Sequence, residues 1–97
     1  MALAVKWSEE ARTTFEQVID WIRNKWSEKE ALNFISKTEK IVQLISLQPY
    51  LFSASKHKYI RRAIITRQTS LIYIVLNSEV YLITFWDNRK DPVKLKL

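Results

Sequence analysis

With 97 residues, no Gly, two Pro and no Cys, the chain has room for one hydrophobic core. It lacks the composition of a flexible linker, a disordered segment, a disulfide scaffold or a thiolate metal site. The net charge of +6 is uneven: residues 1–48 hold seven Lys/Arg against seven Asp/Glu, and residues 49–97 hold nine against three. A basic half suits a polyanionic or acidic protein partner, although positive charge also keeps small domains soluble.

Residues 3–7, Leu-Ala-Val-Lys-Trp, read as a short first strand. Ser8 follows in the N-cap position. Glu9 and Glu10 occupy the first turn, where the helix dipole favours acids. Ala11, Phe15, Val18, Ile22 and Trp26 fall on one helical face, widened by Ile19. Arg12, Glu16, Asp20 and Arg23 fall on the wet face. Glu16 and Asp20 are a like-charged i,i+4 pair that a nearby cation would relieve.

Ser27-Glu28-Lys29-Glu30 is a capping box, so a second helix begins about where the first stops and the two form a hairpin. Its apolar positions, Ala31, Leu32, Phe34, Ile35, Ile41, Val42, Leu44, Ile45 and Leu47, are broader than one stripe. The helix is therefore expected to pack on both the first helix and a sheet. Pro49 ends it. Residues 50–58 read as a loop, with small Ser53-Ala54-Ser55 followed by basic Lys56-His57-Lys58.

Residues 59–87 hold three runs rich in Ile, Val, Thr and aromatics, separated by Gln68-Thr69 and Asn77-Ser78. These predict an antiparallel three-stranded meander. Neither break contains Gly, so both turns are expected to need an extra residue. The middle strand is apolar on both faces, with Leu71, Tyr73 and Val75 on one and Ile72, Ile74 and Leu76 on the other. Two helices cover only one face, which leaves apolar surface for a partner. Asp87-Asn88-Arg89-Lys90-Asp91-Pro92 reads as a turn before a short basic tail. The expected fold is α+β in the order β-α-α-β-β-β: one domain over residues 1–97, an antiparallel sheet with a helical hairpin on one face. No apolar run approaches membrane-spanning length and no signal-peptide pattern opens the chain, so a cytoplasmic location is expected.

This order, and words within it, resemble the RelE/ParE superfamily of toxins from type II toxin–antitoxin modules. The resemblance is carried by Trp7-Ser8-Glu9-Glu10-Ala11, Leu47-Gln48-Pro49, Ile60-Arg61-Arg62, Leu71-Ile72-Tyr73-Ile74-Val75 and Phe85-Trp86-Asp87-Asn88-Arg89-Lys90-Asp91-Pro92. It implies a cognate antitoxin, commonly acidic, that wraps and neutralises the toxin. It also implies one of two targets. RelE-like members enter the ribosomal A site and cut mRNA without a metal or cofactor. ParE-like members inhibit DNA gyrase. A third class keeps the fold and only binds its antitoxin.

For a nuclease, the resemblance implies Arg61, Arg62 and Arg89 as catalytic cations holding the phosphate, with Lys56, Lys58, Lys90 and Trp86 in binding roles. Such chemistry needs the 2′-OH deprotonated, the phosphate charge neutralised and the leaving oxygen protonated. Two features depart from the RelE-like pattern. The third-strand arginine falls near Ser70, and neither Tyr nor His follows Trp86. Both tilt the reading toward a gyrase inhibitor, with the mRNA interferase as the alternative. His57 reads as a surface residue within a Lys-His-Lys run. One His with no Cys gives no recognisable metal site. Arg61 and Arg62 are neighbours and should point to opposite sheet faces, one toward the functional face, the other free to pair with Glu39 or Asp20. Trp86 reads first as a core aromatic and second as a base-stacking surface. Tyr73 and Tyr81 read as sheet packing.

Overall fold

A computed structural model describes residues 2–54 and 59–90. The elements are β1 (Ala4–Trp7), α1 (Glu9–Lys25), α2 (Glu28–Leu47), β2 (Ser53–Ala54), β3 (Ile60–Ile64), β4 (Thr69–Leu76) and β5 (Glu79–Asp87). The α+β arrangement and the helical hairpin are as the sequence predicts. Two features of the sheet differ. Residues read as loop contribute the two-residue strand β2, paired antiparallel to β3. The sheet is also mixed, because β1 runs parallel to β5 in the order β1-β5-β4-β3-β2. The expected basic run Lys56-His57-Lys58 and the tail after Lys90 lie outside the described residues.

Ser8 shows how local chemistry fixes the layers. Its hydroxyl accepts from the Ala11 amide at 2.9 Å, capping α1, and donates to the Ile83 carbonyl at 2.7 Å. Its own amide donates to the Leu82 carbonyl at 3.0 Å. Pairing of β1 with β5 stops at Trp7 and Leu82, so the edge of β5 beyond needs other partners. Helix α1 supplies them: besides Ser8, the Thr14 hydroxyl accepts from the Phe85 amide at 2.9 Å.

Between those two contacts β5 carries a bulge. Ile72 pairs with Thr84 and Tyr73 with Leu82, leaving Ile83 as an extra residue. Extra residues shift the alternation by one and flip the side chains that follow. Val80 and Leu82 point into the core, and beyond the bulge Phe85 does so too. Trp86, which continued alternation from Leu82 would bury, instead lies on the outer face, half-buried. The expectation of Trp86 as a core aromatic is corrected on that ground.

The core lies between the hairpin and the inner sheet face. Phe15 and Phe85 have ring centroids 5.0 Å apart, with Trp7 and Phe34 against them. Ile45, Ala63, Ile65, Leu71, Tyr73 and Leu82 extend it along the sheet. The helical stripes are narrower than the sequence suggests. Leu32 and Leu47 are exposed on α2, and Trp26, at the C-cap of α1, is 67% exposed. Ser27 caps the Glu30 amide at 3.1 Å. The cation that relieves Asp20 is Arg23, which also reaches Glu28.

The two hairpin turns take different routes. The Asn77-Ser78 turn has no extra residue: both take positive φ, 52° and 61°, and Leu76 pairs directly with Glu79. Left-handed backbone at both central residues matches strand twist, and Asn tolerates it. The turn before β4 does use additional residues, closed by Ile65 and Thr66 amides on the Thr69 carbonyl.

Candidate functional site

The two sheet faces separate the neighbouring arginines. Arg61 belongs to the inner side, as the pairing partner of Tyr73. It bonds neither Glu39 nor Asp20. Its Nη1 donates to the carbonyls of Phe52 at 2.7 Å and Tyr50 at 3.3 Å, and its guanidinium lies over the Tyr50 ring at 5.0 Å. Its Nε is buried with no partner among the described residues. This geometry clamps the segment leaving α2 onto the sheet.

Arg62 lies on the outer face. Its Nε donates to the Ser70 hydroxyl at 3.0 Å and its Nη2 to Asn88 Oδ1 at 2.6 Å. Ser70 donates to the same Asn88 oxygen at 2.6 Å and is fully buried. Ser70 thus serves as a neutral support for Arg62. Trp86 pairs across from Ser70, and Lys90 Nζ sits 5.3 Å from its ring centroid. The outer face therefore groups Arg62, Ser70, Asn88, Trp86 and Lys90. Further along it Ile64 and Leu76 are exposed, while Ile72 is fully buried.

Arg89 belongs elsewhere. Its Nε and Nη2 grip both oxygens of Asp87 at 3.0 and 2.8 Å, and its guanidinium lies over the Trp21 ring at 5.2 Å. The Arg89 hydrogen bonds hold the Asp87 carboxyl below its ordinary range. The structure thus does not gather Arg61, Arg62 and Arg89 into one cluster. Lys56 and Lys58 lie outside the described residues.

On the hairpin side, two adjoining clefts of about 350 and 220 Å³ run between the helices and the β3–β4 loop. Trp21, Ile22, Thr66 and Gln68 line both. Trp26 and Phe34 extend the first, and Val18 and Phe85 the second. Lys37, Arg67, Arg89 and Lys90 contribute cations, and Glu30 and Asp87 carboxylates.

Three of these residues escaped the sequence reading. Trp21 follows Val18 at i+3 beside Ile22 at i+4, a spacing that places it next to the apolar stripe. Ser70 and Asn88 carry no local signal of their role, because their partners lie on other strands. Among the described residues no three His, Asp or Glu side chains come together to hold a metal ion, and no helix is long and apolar enough to cross a membrane.

Solved structures share this architecture. One from the chromosomal ParDE toxin–antitoxin system of P. aeruginosa superposes with a TM-score of 0.75 at 15% identity, covering 89% of this chain and 96% of that one. The YoeB dimer structure from Staphylococcus aureus gives 0.61 at 12% identity, covering 87% and 94%. A copper-bound mutant toxin from Helicobacter pylori gives 0.58 at 20% identity, covering 89% and 94%. No curated protein sequence matches. At the level of sequence families, "ParE toxin of type II toxin-antitoxin system, parDE" matches residues 5–92, from β1 through the turn that holds Asn88 and Arg89. The chain therefore belongs to the ParE family of type II toxins.

Proposed function

We propose that this toxin arrests growth by contact, as an inhibitor of DNA gyrase, and that an antitoxin segment neutralises it. The dispersal of the three arginines carries the reading. Cutting RNA requires a base, converging cations and an acid around one phosphate. The described outer face offers one guanidinium, Arg62, and two ammoniums, Lys90 and Lys6 beside Glu79, with neutral Ser70 between β3 and β5. The Glu79 carboxylate there is engaged, accepting from the Tyr81 hydroxyl at 2.8 Å and lying 3.9 Å from Lys6 Nζ. A contact inhibitor needs no such convergence. Membership of the ParE family supports the same choice.

The clefts support a seat for the antitoxin on the hairpin side. Indole and phenyl surfaces with cations at the margins suit an amphipathic segment bearing acids beside its apolar residues. Such a segment would extend beyond the clefts to bury about 1,000 Å² or more in total. The test uses purified toxin in two reactions, gyrase supercoiling and ribosomes stalled on message. The expected result is lost supercoiling with intact message. Message cut in the A site with supercoiling unaffected would replace this reading with the mRNA interferase.

A further inference from the structure

We propose that Asn88 is a positioning residue, which aims the Arg62 guanidinium outward to meet an anionic group on the target. The proposal rests on the contact-toxin reading and adds to it the side chain that orients the contact.

Asn88 joins three segments at one point. Its Oδ1 accepts from Arg62 on β3 and from Ser70 on β4, each at 2.6 Å. Its amide donates to the Gln68 carbonyl at 2.8 Å, and its Nδ2 to the Arg67 carbonyl at 3.2 Å. A guanidinium is planar, so fixing its Nε and Nη2 fixes the direction of Nη1 as well. Ser70 and Asn88 hold those two nitrogens. Nη1 has no hydrogen-bond partner among the described residues.

The chemistry of the holders matters as much as their geometry. Arg23 is held by Asp20 and Glu28, and Arg89 by Asp87, so the charge of each is answered within the chain. Among the described residues Arg62 is held only by a hydroxyl and an amide oxygen. These orient the cation and leave its charge available. A partner anion then meets a guanidinium whose rotamer freedom is already lost, which removes an ordering penalty at binding.

A double-mutant cycle on the full-length toxin tests this, read as growth arrest against expression level and as supercoiling inhibition, with thermal melting of each variant. Asn88→Ala should weaken potency about 3- to 10-fold, the range expected for freeing one long side chain. In an Arg62→Ala background the same change should add nothing. Equal losses from Asn88→Ala with and without Arg62 would overturn the proposal, because a general structural role acts in both. Asn88→Asp covers the case in which the Ala variant fails to fold. It keeps an acceptor for Arg62 and Ser70 but cancels the Arg62 charge and loses the Nδ2 donor to the Arg67 carbonyl, so it should still fold, with a modestly lower melting temperature, and lose potency. Full potency of Asn88→Asp would overturn the proposal. Wild-type growth arrest without loss of supercoiling would remove gyrase as the target, while the cycle read in growth arrest would still decide the role of Asn88.

Discussion

The Tyr73 hydroxyl donates to the Pro49 carbonyl at 2.6 Å, across 24 residues of chain. Tyr73 is fully buried, and its pairing partner Arg61 donates to the carbonyls of Tyr50 and Phe52. Two neighbouring side chains on two strands thus hold three carbonyls of the segment leaving α2. This accounts for the short strand β2 at the sheet edge: the segment is pulled alongside β3.

Tyr73→Phe should therefore destabilise at neutral pH by about 1–3 kcal/mol, since a carbonyl loses its donor. For a domain of this size, melting drops roughly 4–8 °C per kcal/mol. The pH dependence follows from the buried phenol, whose pKa burial pushes from 10.0 up to about 12. The folded state holds this proton more tightly than the unfolded state, so the contribution is full below about pH 10 and is lost as pH rises toward 12. Urea midpoints from pH 8 to 12 should show the wild-type advantage over Tyr73→Phe narrowing above pH 10. A constant advantage across that window would mean the phenol is not desolvated.

The turn between β4 and β5 makes a second stability prediction. Ser78 has φ of 61° without glycine's freedom, and its side chain is exposed. Left-handed backbone costs a Cβ-bearing residue about 1–2 kcal/mol, partly offset by the larger unfolded-state entropy of Gly. Ser78→Gly should stabilise by about 0.5–1 kcal/mol, seen as a higher urea midpoint with an unchanged slope. No gain would mean the turn relaxes around Ser at no penalty.

What could be read from the sequence was what short-range chemistry determines. Ser8 with Glu9 and Glu10, Ser27 three residues before Glu30, and the Ile- and Val-rich runs each declare an element within a few residues. The opposite orientation of Arg61 and Arg62 follows from strand alternation alone. The assignment of Trp86 did not follow, because it depends on the bulge at Ile83. One extra residue in β5 reverses every later side chain. The same step places Trp86 on the outer face with Lys90, and Asp87 with Arg89 toward Trp21. The network of Arg62, Ser70 and Asn88 spans 26 residues, and none of its members is marked by a local pattern.

Arg89 illustrates how the divided placement can be measured. Its hydrogen bonds are the largest influence on Asp87, ahead of desolvation, which acts the other way. Arg89→Ala should raise the Asp87 pKa toward the ordinary carboxylate range in an NMR titration. Any stability that Asp87 ionisation contributes is present above its unfolded pKa and is lost as pH falls through its depressed folded value, so the variant, which keeps only the backbone amide bond at residue 89 and the nearby Lys90 charge, should show a smaller acid-side dependence. An unshifted Asp87 would show that the pair does not persist in solution.

The last prediction uses the separation of the clefts from the outer face. Trp21 lines both clefts under Arg89, whereas Arg62 is held by Ser70 and Asn88 on the opposite side of the sheet. If the antitoxin seats in the clefts and the target meets the outer face, the two substitutions should affect different assays. Trp21→Ala should weaken antitoxin binding by at least about 2 kcal/mol, roughly 30-fold, as for a central aromatic anchor. Its growth arrest, expressed alone, should be unchanged. Arg62→Ala should do the reverse, weakening growth arrest measurably while still binding the antitoxin. Titration calorimetry against the protein encoded beside the toxin gene measures the first effect, and induced expression measures the second. Melting curves guard against simple unfolding, which would weaken both. If folded Trp21→Ala loses growth arrest and folded Arg62→Ala loses antitoxin, the assignments of the two surfaces must be exchanged.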